Sequence, residues 1–375
     1  MTSRTRLATA VVAAALALSA CSSGGSDRSG PSTSAGQATS TTEAPAGSGS
    51  GAPAGSTAKD GGGDGTAEVS SVGTFGVGMA SFDFEDPSRQ TPANGSAPAH
   101  PGRQLVGLVW YPSTGKAPGG DKVPEATEGV AAHAGRFPLV IFSHGVTGKA
   151  TFYNQVLRAW ASAGYVVVAP DYPLSNLDAP GGPTVSDVGQ QPGDASFVLD
   201  QFLGDAKSAK ELPAPLAKVA THIDGDRIAA VGHSLGAITS LGLGYATCCT
   251  DDRIDAVAEF AGIVLPLQQK PSPDPKVTDR PLLIIHGDRD GTVGYANGQG
   301  AFKDVEVPRW FITLPGGGHI PPYLSGRSNP QGTVVVDATV DFLDAELKGD
   351  PDGIDRMEAL VTEAGPKVAT IESAG

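Results

Sequence analysis

The segment 227–236 constrains this chain more than any other. A short apolar run, Ile228-Ala229-Ala230-Val231, leads into Gly232-His233-Ser234-Leu235-Gly236, and a helical pattern follows. A serine in that context occupies a tight strand-to-helix turn, and the flanking glycines let the backbone pass closely without a side-chain clash. Such a turn needs a strand before it and a helix behind it, and it fits best in a chain that alternates between the two throughout. This chain does. Residues 72–80, 104–111, 137–142, 164–169, 227–231, 256–261, 281–285 and 310–314 read as strands. Residues 153–163, 194–203, the stretch beginning at Ser234 and the closing segment 334–347 read as helices. Nearly continuous apolar strands separated by helices predict an α/β fold, a mostly parallel sheet covered on both faces.

Two further segments lie just beyond strands. His286-Gly287-Asp288-Arg289-Asp290 follows 281–285, and Gly316-Gly317-Gly318-His319 follows 310–314. The chain order is therefore serine, acid, histidine. In this arrangement His319 takes the proton of Ser234 and returns it to a leaving group, while Asp290 stays ionised and holds the imidazole tautomer. Asp288 is the competing carboxylate. The strand 137–142 runs into Ser143-His144-Gly145-Val146, a loop able to present one backbone amide to a developing oxyanion; the amides of Val146 and Leu235 are the candidate pair. His144 is expected to shape that loop. Tyr172, Trp110 and Trp310 are candidate contacts for an acyl or aromatic group.

These residues resemble the serine α/β-hydrolase superfamily, and more narrowly its bacterial polyester-hydrolase, platelet-activating-factor acetylhydrolase-like and dienelactone-hydrolase-like branches. The resemblance spans residues 72–347 and includes Val109-Trp110-Tyr111-Pro112, Ser143-His144-Gly145, Asp194-Ala195-Ser196-Phe197-Val198-Leu199-Asp200 and Ser234, Asp290 and His319. It implies transfer of an acyl group from a carboxylic ester to water through an acyl-serine intermediate. Dienelactone hydrolases proper use cysteine where Ser234 stands, which argues against their reaction. A peptidase or amidase with the same three residues, and a non-catalytic envelope-binding module on the same fold, are the alternatives. The segment 262–280, where many lipases carry a lid, is rich in Pro and Gln and lacks a long amphipathic helix, so little or no lid is expected.

The amino-terminal part obeys different rules. Arg4 and Arg6, an apolar run over 7–18 and small residues before Cys21 have the parts of an export signal, with a run too short to span the roughly 30 Å of a bilayer core. Leu18-Ser19-Ala20-Cys21 resembles a lipobox, which makes 1–21 a lipoprotein signal and Cys21 the lipidated residue. Residues 22–70 are dominated by Ser, Gly, Thr, Ala and Pro without an aromatic and read as a disordered tether. Residues 71–375 remain as one hydrolase domain, exported and held at the membrane by lipid, or secreted. A formal charge of -14 argues against a nucleic-acid surface, which needs clustered Lys and Arg. No sequence-spaced metal set or P-loop is present, and serine chemistry needs neither metal nor cofactor. Cys248 and Cys249 are open to a vicinal disulfide or two thiols.

Overall fold

Strands rich in Val, Ile, Leu and Phe are stable only where both faces are covered, and this chain covers them. The computed structural model describes residues 71–119, 122–204, 212–264 and 279–375. The signal segment, Cys21, the tether and most of the 262–280 segment lie outside the described residues. Those described belong to one compact unit, Thr66–Gly375.

Ten strands form one sheet: β1 Gly76–Asp86, β2 Arg103–Ser113, β3 Ala126–Glu128, β4 Phe137–Ser143, β5 Val166–Asp171, β6 Ile223–His233, β7 Ile254–Phe260, β8 Leu282–Gly287, β9 Arg309–Leu314 and β10 Thr370–Ala374. Their order is β10-β9-β8-β7-β6-β4-β5-β2-β1-β3. Strands β5, β4, β6, β7, β8 and β9 run parallel, so their carboxyl ends open on one edge. At the margins β2 and β10 run antiparallel to this set, β1 pairs antiparallel with β2, and β3 pairs parallel with β1.

The helices are α1 Asn154–Ser162, α2 Gln191–Leu203, α3 Ala214–Ala220, α4 Leu235–Tyr245, α5 Ala296–Asp304, the single turn α6 Pro321–Leu324, α7 Pro330–Lys348 and α8 Gly353–Ala364. Side chains alternate across the sheet with period two. Val140, Phe142, Val167, Val231 and Leu283 meet Trp160, Val335, Phe342 and Met357 of α1, α7 and α8 on one face. Leu139, Ile141, Val168, Ile228 and Ile284 meet Val198, Leu199, Phe202, Leu216 and Ala301 of α2, α3 and α5 on the other. Each fully buried Val, Leu, Ile or Phe contributes about 1.5–3 kcal/mol, which holds the strand ends rigidly enough to carry a site. The architecture is the α/β-hydrolase fold with, among the described residues, no lid insertion.

Several boundaries differ from the sequence expectation. The first strand begins at Gly76 and runs to Asp86, because the hairpin partner β2 extends its ladder to Arg103. The helix expected over 334–347 starts at Pro330, where Asn329 caps it by accepting from the Gly332 amide at 2.9 Å, and stops at Gly349 in the left-handed region. It does not close the fold. Helix α8 and strand β10 follow, and β10 pairs with β9 although Thr-Ile-Glu-Ser-Ala has little apolar signal. Edge pairing depends on backbone hydrogen bonds, which leave no such signal. Cys248 and Cys249 are bonded to each other.

Candidate active site

The turn between β6 and α4 is as tight as its glycines demand. A Cβ on Gly232 would lie 2.1 Å from the Gly236 carbonyl oxygen, and one on Gly236 would lie 2.0 Å from that of Ser143. Ser234 is held between them at φ 57°, a conformation rare outside glycine that persists only where the surroundings over-determine it. Its amide donates to the Phe260 carbonyl at 2.8 Å, tying the elbow to β7.

Loops after β8 and β9 converge on this serine. A Cβ on Gly287 would lie 2.3 Å from the Gly317 carbonyl oxygen, so the two loops touch through backbone. His319 Nε2 lies 2.8 Å from Ser234 Oγ, and His319 Nδ1 lies 2.7 Å from Asp290 Oδ2. The other Asp290 oxygen accepts the amides of Thr292 and Val293, each at 2.8 Å. Burial pushes the Asp290 carboxyl up, but hydrogen bonds from His286 and His319 and the charge of His319 outweigh it and hold it well below the usual carboxylate range. Asp288 faces elsewhere: it accepts the Gly316 amide at 2.7 Å and shapes the turn that delivers His319.

The loop after β4 runs beside the elbow. A Cβ on Gly145 would lie 3.1 Å from Ser234 Cβ, which places the Gly145–Val146 peptide against the serine. Leu235 begins α4, where amides point out of the helix end without intrahelical acceptors. Buried His144 donates from Nδ1 to the Gly145 carbonyl at 2.8 Å and accepts the Tyr172 amide on Nε2 at 3.0 Å, so both ring nitrogens are engaged in bracing the loop.

The three candidate substrate contacts are placed as follows. Trp110 and Tyr172 are fully buried; the indole of Trp110 donates to Asn154 at 3.0 Å, and the Tyr172 hydroxyl lies 2.7 Å from Ser143 Oγ. Both close the core instead of lining a cleft. Trp310 lies near the amino end of β9, away from the carboxyl ends where Ser234 sits, and packs edge-on against Phe342.

Other buried residues complete the site without a sequence signature. Tyr153 accepts the Gly145 amide at 3.1 Å and donates to His233 Nδ1 at 2.8 Å; His233 Nε2 in turn donates to the His319 carbonyl at 2.7 Å. Burial, followed by the neighbouring His319, pushes His233 down to about 3, so it works as a neutral link. Tyr323 accepts the Gly287 amide at 3.1 Å and steadies the acid loop. His286 donates to the Val293 carbonyl at 2.9 Å behind Asp290, and buried Glu259 is pushed up to about 7 by desolvation. Aromatic and polar residues this far apart share no spacing from which their meeting could be read. Among the described residues no group of three or more His, Cys, Asp or Glu is placed to hold a metal.

This fold and this clustering define a class. The chain belongs to the serine α/β-hydrolase esterase family, with esterase-type hydrolase activity. It is 30% identical over 187 residues to esterase YjfP of Escherichia coli (strain K12), covering 42% of this chain and 70% of that protein. Residues 129–258 match the chlorophyllase family. Chlorophyllase-1 of Arabidopsis thaliana is 32% identical over 130 residues, 35% of this chain and 36% of that protein, so the match spans about a third of the plant enzyme. A solved structure of a ferulic acid esterase from Streptomyces cinnamoneus shares the fold, with a TM-score of 0.57 at 22% identity, over 76% of this chain and 95% of that one.

Proposed function

We propose that the chain is a serine carboxylesterase in which Ser234, His319 and Asp290 act as one catalytic unit on apolar esters. The observation that carries this reading is the unbroken chain from Ser234 Oγ through both ring nitrogens of His319 to Asp290, with links of 2.8 and 2.7 Å. His319 Nε2 takes the serine proton as Oγ attacks the ester carbonyl. Negative charge develops on the carbonyl oxygen, where the amides of Val146 and Leu235 receive it. His319 then protonates the departing alcohol, leaving an acyl-serine. Water, deprotonated by the same imidazole, releases the acid and restores Ser234. Asp290, held ionised, stabilises the imidazolium at each step.

The surroundings favour an apolar substrate. Phe152, Leu177, Val264 and Ile320 are exposed, and they sit on the loops after β4, β5, β7 and β9, the same edge of the sheet as Ser234. Apolar side chains on the connections that surround the serine are the groups an apolar ester would meet there. This suits lipid or polyester substrates of the kind taken by the polyester-hydrolase and platelet-activating-factor acetylhydrolase-like branches, and the chlorophyllase match adds chlorophyll as an ester to test. The test is turnover of short-chain, long-chain, polyester and chlorophyll esters by the parent and by Ser234→Ala. Loss of turnover in the variant is expected, with long or bulky apolar esters preferred. Undiminished turnover by Ser234→Ala would sink the reading.

The proposal extends to location. Cys21 carries lipid, residues 22–70 form a tether, and the catalytic unit 71–375 works outside the cell membrane. Fractionation of cells making the full chain or Cys21→Ala tests this: the parent should sediment with membranes and the variant should not, and equal distribution would refute the anchor.

A further inference from the structure

We propose that Gln191 is a positioning residue for the oxyanion hole: its side-chain amide ties the loop that offers the Val146 amide to the helix that offers the Leu235 amide. This rests on the catalytic reading of Ser234 given above. The direction of the first donor is set locally. The Gly145 carbonyl accepts from His144 Nδ1 and from the Gly148 amide, each at 2.8 Å. That carbonyl and the Val146 N–H belong to one planar trans peptide, so pinning the oxygen aims the amide the opposite way. Thr147 follows at φ 62°, a region that a β-branched residue enters only under constraint.

The constraint leads to the second donor. The Thr147 amide donates to the Ser175 carbonyl at 2.7 Å. Ser175 Oγ accepts from Gln191 Nε2 at 2.8 Å, and Gln191 Oε1 accepts from Thr239 Oγ1 at 2.6 Å. Thr239 lies one turn beyond Leu235 in α4, and its hydroxyl also reaches the Leu235 carbonyl at 3.4 Å. Ser175, Gln191 and Thr239 are all 0% exposed. At its root the loop meets the elbow by the Gly236–Ser143 contact; the Ser175–Gln191–Thr239 bridge is a second tie, so the two donors cannot spread or rotate independently. An apolar side chain would fill the same space without requiring every polar atom to be matched. The bridge instead fixes a distance, and donors serve a transition state only when held to about half an ångström.

The test uses the full chain with Thr239→Val, which keeps shape and removes the hydroxyl, Ser175→Ala, the smallest cut in the bridge, and Thr239→Ser, which keeps the hydroxyl. Each is assayed for kcat and KM on a soluble ester, for melting temperature, and for inhibition by an alkyl boronic acid. Ser234 Oγ adds to boron, its proton passing to His319, and a boron-bound oxygen then occupies the oxyanion position. Thr239→Val and Ser175→Ala should lower kcat about tenfold or more, short of the roughly 100- to 1,000-fold that follows outright loss of a donor. Boronic acid affinity should fall in parallel, KM should stay within about twofold, and Thr239→Ser should restore the parent values. A purely packing role predicts lower melting temperature with kcat and boronic acid affinity unchanged. That result, seen in folded Ser175→Ala even if Thr239→Val fails to fold, would overturn the proposal. Full activity in Ser234→Ala would instead remove the catalytic reading on which it stands.

Discussion

Two buried polar clusters occupy opposite ends of the parallel sheet, and they are built to opposite ends. Near the amino end of β5, the Tyr165 hydroxyl donates to Asp344, while Lys348 Nζ lies 2.8 Å from Asp344 Oδ1 and 2.8 Å from the Ala163 carbonyl, 4.2 Å over the Tyr165 ring. Arg356 approaches the second Asp344 oxygen at 3.6 Å. Burial pushes Asp344 up and Lys348 down, and each is pulled back toward its charged form by the other. At the carboxyl ends, Asp290 likewise gains several partners, yet the chain of contacts terminates in a serine hydroxyl on a strained backbone beside a histidine side chain that is 11% exposed. Buried charge alone therefore does not mark a site. What separates the two is a reactive atom held in costly geometry where a ligand can reach it.

The comparison can be broken most sharply at the serine. Ser234→Ala should lower kcat by about 10⁴-fold or more while changing unfolding free energy by no more than about 1 kcal/mol, since only one hydroxyl is removed. Lys348→Met should do the reverse. It leaves Asp344 buried without its nearest cation and should cost about 3 kcal/mol in urea unfolding, with kcat per folded molecule at the parent level. A large kcat loss in Lys348→Met, measured under conditions where it is fully folded, would show that the two ends are coupled.

Glu259 refines the comparison within the site itself. Its carboxyl is pushed up to about 7 from an ordinary 4.5, by burial first and against the pull of His286. Between those values the folded state binds more protons than the unfolded one, so this group lowers stability as pH rises and does so fully above about 7. Glu259→Gln removes that dependence. The stability advantage of the variant over the parent should widen by up to about 3 kcal/mol between pH 5 and pH 8 in parallel denaturant titrations. A constant difference across that range would show that Glu259 is already ionised at pH 5.

The amino-acid sequence determined, by itself, the strand-helix alternation and the positions of Ser234, the 286–293 loop and His319. The reason is physical: a serine turn between strand and helix needs Gly232 and Gly236 within five residues, and apolar strands covered on both faces need uninterrupted Val, Ile and Leu. Both requirements are local and leave local patterns. The sequence favoured Asp290 over Asp288, but only tertiary structure brings the Asp290 carboxylate to His319 and turns Asp288 to the Gly316 amide, because the two differ only in where the turn between them points. Tertiary structure alone placed Trp110 and Tyr172 in the core and added β10 through backbone pairing. It also brought together Tyr153 with His233, Tyr165 with Asp344, and Gln191 with Thr239, pairs separated by 80, 179 and 48 residues. Hydrogen bonds between distant side chains depend on where the sheet carries each one, and no spacing along the chain encodes that.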